Sequence, residues 1–380
     1  MGESVKATAV RSNDQMTAAI LPHLPSGNLV MSSFSLGTVL GMVLAGARDK
    51  TKEQVLKVFG FKEEQAVASG FKELRMIVKT HQDGGNVTLQ TANRIYSEKG
   101  FSVLPEYSQH LEQHYGAKPV SLSFVEQPDK SRQEINGWVS DQTNSKIKDL
   151  LPSGSVSSDT RVVLVNALYF KGDWATKFDP KRTTESDFFV DSKTKVRVQM
   201  MRQKAKFGLK TIQELDNATA LRMPYKGETL DMIIILPNEK SSLNAVEEKM
   251  KTVDMTLALS EFFDGENVRT TIPKFKVEST LELNEPMKRI GVNDVFDIGS
   301  ADLSGISGTK DLYVSLIVQK AFIEVNEEGA EAAAATGAVM MMRSMVIEPE
   351  FKCNRPFYYM IRERSSGLVL FSGRIINPTA

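Results

Sequence analysis

The segment Glu327-Glu-Gly-Ala-Glu-Ala-Ala-Ala-Ala-Thr-Gly-Ala-Val-Met-Met-Met-Arg-Ser344 decides how this chain is read. Before it, Tyr313 to Asn326 (YVSLIVQKAFIEVN) is rich in Val, Ile, Phe and Tyr and predicts a strand; after it, Met345 to Ile347 is apolar and predicts another. Ala332, Ala333, Ala334 and Ala335 favour a helix by propensity, because alanine loses no side-chain entropy there. Gly329, Thr336 and Gly337 oppose it. The plain reading is a flexible surface loop, yet a connection this long is uncommon in a compact domain and tends to be functional. Taken in alternation, Ala330, Ala332, Ala334, Thr336 and Ala338 are small and uncharged, so the segment can also pair as a strand with that face buried.

At its far end Arg343 and Ser344 follow Met340, Met341 and Met342. Trypsin-like proteases cleave after arginine, a pocket carboxylate pairing with the guanidinium. The Arg343–Ser344 bond therefore reads as bait, with the three methionines as subsite contacts.

The 380 residues are 41% hydrophobic and 25% charged, ordinary for a soluble globular protein. No Pro/Gly/Ser-rich linker marks a boundary, which predicts a single domain over 1–380. Lys plus Arg is 47 and Asp plus Glu is 47, so charge gives no reason to expect a nucleic-acid or membrane partner. No apolar run reaches membrane-spanning length, and MGESVKATAV has no signal-peptide core. Cys353 is the only cysteine, so no internal disulfide can form, and cysteine usage alone leans to an intracellular protein, the alternative compartment. The sequons at Asn86 and Asn217 are possible glycosylation sites and favour a secreted, extracellular protein whose signal peptide is absent from this sequence.

Along the chain, helices are predicted over Ala9–Leu24, within Asn28–Gly46 after a short strand and with Ser32 or Ser33 as cap, and over Thr51–Phe59, Glu64–Thr80, Leu104–Tyr115 and Pro128–Leu151. Strands follow Val87–Tyr96 and then dominate: Arg161–Phe170, Asp187–Val190, Val196–Met201, Ala205–Leu209, Ala218–Pro224, Thr229–Leu236, Val268–Val277, Phe357–Ile361 and Leu368–Ile375. Helices first and strands later give an α+β architecture. Lys72, Arg75 and Lys79 lie on one helix face and form a weak candidate site for a heparin-like glycosaminoglycan, a solvated face being the plainer reading. His110 and His114 stand one helical turn apart but lack a third metal ligand, and no Gly-x-Ser-x-Gly elbow supports a hydrolase. No cofactor motif is present.

Several stretches, in order, resemble the serpin (serine protease inhibitor) family over nearly the whole chain. Asn166-Ala-Leu-Tyr-Phe-Lys-Gly-Asp-Trp174 resembles its central strand and the tryptophan above it. Ala301-Asp-Leu-Ser-Gly305, Phe351-Lys-Cys-Asn-Arg-Pro-Phe357 and Leu370-Phe-Ser-Gly-Arg374 with Pro378 match further signatures. Glu327, Glu328, Gly329, Ala330, Glu331, Ala332, Ala333, Ala334, Ala335 and Thr336 resemble the hinge of inhibitory members. The resemblance implies one domain of about nine helices and three β-sheets with a reactive loop, about 327–347, outside it. Seventeen residues counted from Glu327 reach Arg343, in agreement with the bait reading. It also implies that Glu327 pairs with Lys274 as a surface latch. Trp174 belongs to the region above the central sheet, and Ser32, Ser35, Asn166 and Gln319 to the shutter beneath it. The chain departs from the family in having Ser32-Ser33 for Ser-Pro and Gln319 for a buried histidine.

The implied mechanism fires once: an acyl-enzyme forms at Arg343, the chain breaks before Ser344, and the freed segment enters the central sheet. Loop insertion in this family is itself a recognised case of strand addition and of released strain. Gly329 to Arg343 is 15 residues, which at about 3.3 Å each spans roughly 50 Å. A domain of this size is roughly 55 Å across, so the tether carries a protease from pole to pole. Arg343 implies inhibition of trypsin, plasmin, kallikrein-type or matriptase-type enzymes; Met342 disfavours thrombin, and factor Xa is likewise less favoured. A monomer is expected. The alternative is a non-inhibitory serpin acting as carrier or chaperone.

Overall fold

The computed structural model describes residues 4–85, 87–263, 267–327 and 348–380. The reactive segment 328–347 and the sequon residue Asn86 lie outside the described residues. Six helices come first along the chain: α1 (Val5–Ile20), α2 (Ser33–Gly46), α3 (Asp49–Phe59), α4 (Glu64–Asp83), α5 (Pro105–Tyr115) and α6 (Pro128–Gln142). Four short ones follow: α7 (Leu243–Met250), α8 (Met255–Ala258), α9 (Asn284–Arg289) and α10 (Ser304–Ser307). Ten α-helices among the described residues agree with the expectation of about nine. The sequence of α2, SFSLGTVLGMVLAG, is apolar on every side, and all its residues are buried. Ser32 caps it, its Oγ accepting from the Ser35 N–H.

The strands are, in chain order, β1 (Leu29–Met31), β2 (Val87–Glu98), β3 (Val120–Leu122), β4 (Val162–Gly172), β5 (Thr184–Phe189), β6 (Lys195–Lys206), β7 (Gly208–Ile212), β8 (Ala218–Pro224), β9 (Leu230–Leu236), β10 (Asn267–Pro273), β11 (Phe275–Glu282), β12 (Val314–Val325), β13 (Glu350–Lys352), β14 (Phe357–Glu363) and β15 (Val369–Ile375). They form three sheets, ordered β11-β12-β4-β2-β3, β1-β15-β14-β9-β8-β7 and β13-β10-β6-β5. In the first, β12 runs parallel to β4 and pairs with it directly, from Val314 opposite Val162 to Ile323 opposite Phe170.

The first sheet is covered on both faces, which explains why β4 reads as an unbroken apolar run. Val162, Leu164, Leu168 and Phe170 enter the main core shared with α2 and the second sheet. Val163, Val165 and Ala167 enter a smaller cluster with Ile135 and Val139 of α6.

Three expected boundaries are corrected. The helix predicted over Pro128–Leu151 stops at Gln142, because Asn144, Ser145 and Asp149 adopt positive φ. The strands predicted over Val196–Met201 and Ala205–Leu209 are instead β6 and β7, with the break at Phe207. The single strand predicted over Val268–Val277 is two, β10 and β11, in different sheets. Proline offers no N–H to a ladder, and the chain changes sheets at Pro273-Lys274. This places Lys274 at the junction of two sheets, one residue before Phe275, which pairs with Val325 at the end of β12.

Candidate functional site

Because side chains alternate along a strand, every second residue of β4 and β12 faces the main core. That face is apolar except for one row. Gln319 on β12 stands opposite Asn166 on β4, which stands opposite Asn93 on β2. Gln319 is fully buried and makes three bonds: Nε2 donates to Asn166 Oδ1 at 2.7 Å and to Ser32 O at 2.9 Å, and Oε1 accepts from the Ser32 N–H at 2.9 Å. Asn166 Nδ2 donates onward to Asn93 Oδ1. A buried amide must find partners for both ends, and here the network satisfies it across three strands and the cap of α2.

The network differs from the expected one in two respects. Ser35 contributes its backbone N–H to Ser32 but its buried Oγ has no partner among the described residues, so it does not join the row. Asn93 takes that place. Nothing in the β2 sequence, where Thr91 and Ser97 share its face, sets Asn93 apart; only the register to Asn166 gives it a role. Ser33, which replaces the family's proline, is bonded instead to Thr17 Oγ1.

At the upper end of β12 the chain is fastened at two points. Trp174 Nε1 donates to the Asn326 carbonyl at 2.9 Å, and its indole stacks on Tyr225 with centroids 4.6 Å apart and planes 9° apart. One residue on, Glu327 receives Lys274 Nζ at 2.7 Å and Thr183 Oγ1 at 2.6 Å. The expectation of a surface ion pair is corrected: the Glu327 side chain is 9% exposed and that of Lys274 40%. Burial raises the Glu327 pKa, but the bonds from Lys274 and Thr183 outweigh it and hold the carboxyl below its usual range. Thr183 was not foreseen. At the other end of the undescribed segment, Glu348 is held by Lys204 and by Arg269 Nε, the latter at 3.0 Å.

Of the remaining predicted residues, Asn217 is exposed with φ 57°. Arg75 and Lys79 are not simply part of a solvated helix face, since both line a cavity beside β2, whereas Lys72 does not. Cys353 is fully buried, and burial pushes its thiol well above the ordinary value, which suits packing rather than nucleophilic chemistry. The His110 and His114 rings lie 4.5 Å apart, and among the described residues no group of three His, Cys, Asp or Glu could hold a metal ion. No described helix is long and apolar enough to cross a membrane.

Comparison with known proteins gives one consistent family. The family model described as Serpin (serine protease inhibitor) matches residues 11–378. The leukocyte elastase inhibitor of Bos taurus is 39% identical over 99% of this chain and the whole of the relative. The structure of Serpin48, described as a highly specific serpin of the insect Tenebrio molitor, superposes with TM-score 0.83 at 34% identity, covering 99% of each chain. That of uncleaved ovalbumin gives 0.85 at 28% identity, covering 99% of this chain and all of the other.

Proposed function

The chain belongs to the serpin family, and from that membership we propose that it is a single-domain, single-use inhibitor of trypsin-like serine proteases. It is not a catalyst. The protease serine attacks the Arg343 carbonyl, the bond to the Ser344 nitrogen breaks, and an acyl-enzyme forms. The released segment enters between β4 and β12 and drags the acylated protease with it, distorting its catalytic groups before water can reach the ester. A displacement of about 1 Å in such a site already costs roughly 100-fold in rate.

The observation that carries this reading is the direct pairing of β12 with β4 below a tether fastened at Glu327. The slot a new strand would enter is closed by backbone bonds and by one polar row, and the segment above it has small residues on the face that would be buried. A dozen added ladder bonds at about 1 kcal/mol each give on the order of ten kcal/mol. That rivals the stability of an ordinary domain. The uncleaved form is therefore held by a barrier, and Lys274, Thr183, Trp174 and Gln319 are the groups that build it. Extracellular action belongs to the same proposal and rests on the sequons.

A second reading concerns the target. The relatives named leukocyte elastase inhibitors favour an elastase-type enzyme, which takes an apolar residue before the cut bond; Met342, Met341 and Val339 offer one. Incubation with trypsin and with elastase separates the readings. The trypsin reading expects a covalent adduct stable in SDS and a released peptide beginning at Ser344. A peptide beginning elsewhere, with an adduct formed only by elastase, supports the second. Cleavage without any adduct overturns both and leaves the carrier.

A further inference from the structure

The third sheet receives the chain where it returns from the reactive segment. Side chains alternate along β6, so that Met201 and Ala205 are buried while Arg202, Lys204 and Lys206 are exposed. Across the ladder, Lys204 stands opposite Arg269 of β10, which stands opposite Glu350 of β13. Arg202 stands opposite Thr271, which stands opposite Lys352. Arg269 and Lys352 are exposed as well. Neighbouring strands are about 4.8 Å apart and every second residue about 6.6 Å along, so these cations share an area of roughly 10 by 13 Å.

Two carboxylates, Glu348 and Glu350, belong to the same area. Glu348 binds Lys204 and Arg269. Arg202 has the Ser186 hydroxyl, at 2.9 Å, and no acidic partner among the described residues; Lys206 and Lys352 have none either. Toward β5 the charge is matched, because Arg197 and Lys195 pair with Asp187 at 3.0 and 2.8 Å. Five cations against two carboxylates thus leave one face positive on a chain whose net charge is zero.

Chain connectivity decides what stands over this face. Ser344 is four residues before Glu348, so the two lie at most about 14 Å apart. A protease bound to an inhibitor buries about 800 Å² of it, a disc of radius roughly 16 Å. An enzyme seated on the Arg343–Ser344 bond is therefore brought over these cations on the side of the leaving peptide. Charge there acts on the approaching enzyme and alters the rate of encounter more than the final strength of contact.

We propose that this face is a second contact surface for the target protease, and that it selects, among enzymes cutting after arginine, those with an acidic surface beside the leaving-peptide side of the cleft. The inference rests on the inhibitory reading above and narrows its partner. Arg202, Lys206 and Lys352 carry the selection, since Lys204 and Arg269 are already engaged by Glu348.

The test uses the full chain with anionic and cationic trypsin, which both cut after arginine and differ in surface charge. Second-order rates of adduct formation are measured at about 0.01 M salt, where charges are felt over roughly 30 Å, and at about 1 M, where they are felt over roughly 3 Å. Lys206→Glu/Lys352→Glu is expected to slow anionic trypsin about tenfold or more at low salt and to leave cationic trypsin unchanged or faster. At high salt the variant should match the unsubstituted protein. If the reversal melts early, Lys206→Ala/Lys352→Ala is expected to show the same order with a smaller effect. Equal slowing of both enzymes, or no slowing of the anionic one, overturns the proposal. So does weaker retention of the variant on heparin-agarose with neither rate changed, which makes a sulfated polysaccharide the occupant. Cleavage at Arg343–Ser344 without adduct overturns the inhibitory reading alone, and the rate of that cleavage then decides the surface in the same way. A bond that neither enzyme cuts overturns both.

Discussion

Replacing Gln319 by methionine removes the amide while keeping an unbranched side chain of similar length. Three bonds disappear, at 2.7, 2.9 and 2.9 Å. The Ser32 carbonyl keeps its bond from the Leu36 N–H, so two groups are left buried and unpaired, the Ser32 N–H and Asn166 Oδ1. Each costs about 1–3 kcal/mol, or about 2–6 kcal/mol together. The Asn166 share of that cost falls selectively on the uncleaved form. Once a strand lies between β12 and β4, Gln319 and Asn166 stand roughly 9–10 Å apart and their bond is already lost. Heating at one fixed scan rate should show the uncleaved variant melting roughly 5–10 °C earlier, with the nicked form moved much less. Loss of inhibitory activity on storage at 37 °C should quicken in parallel. Gln319→His, the family's own residue, retains a ring donor and should recover part of the difference. If uncleaved and nicked forms shift equally, the row is ordinary core polarity and does not hold the sheet shut.

Three further outcomes follow from the same structure. Thr336→Arg places a charge on the face that would be buried on insertion, so trypsin should cut the variant at Arg343 with little adduct formed; undiminished adduct would contradict insertion of that face. Lys274→Met leaves Glu327 with Thr183 alone and should lower the uncleaved melting point by the equivalent of ~1 kcal/mol, less in high salt because Lys274 is partly solvated. As the Glu327 pKa is depressed, this contribution is present at neutral pH and is lost as pH falls through the folded value, below the usual glutamate range. Asp14 runs the other way. Burial raises its pKa to about 7 against bonding from Thr256 and the charge of Arg362, and its Oδ1 is buried without a partner. Between its unfolded and folded values the native state binds the extra proton, so stability falls as pH rises from about 4 to 7. Asp14→Asn should flatten that slope and stabilise the protein at pH 8 on the order of 2 kcal/mol, since the residue keeps some contact with solvent; an unchanged pH profile would refute it.

How much of this was legible in the sequence varied with the physics behind each element. Periodicity carried α4 and α5, and the wholly apolar α2 could be placed in the core because nothing else in the chain buries such a helix. The break at Pro273-Lys274 was hidden, because β10 and β11 alternate apolar and polar residues in the same manner and only pairing to different sheets separates them. The end of α6 was hidden for a different reason: Asn144 and Ser145 are tolerable in a helix, but both adopt positive φ here and the Ile147 N–H donates to Thr143 Oγ1, closing a local turn instead. Latch and tryptophan were reachable through family resemblance, but the burial of Glu327 and the presence of Thr183 and Asn93 depended on contacts across long stretches of chain, which local pattern does not encode.

The central claim is that the uncleaved molecule stands above its relaxed state and descends when its tether is cut. Melting the intact protein and the protein nicked between Arg343 and Ser344, side by side, measures that difference directly. The account predicts that the nicked form survives to a temperature tens of degrees higher, as on the order of ten kcal/mol of new pairing requires. Coincident melting curves would contradict it.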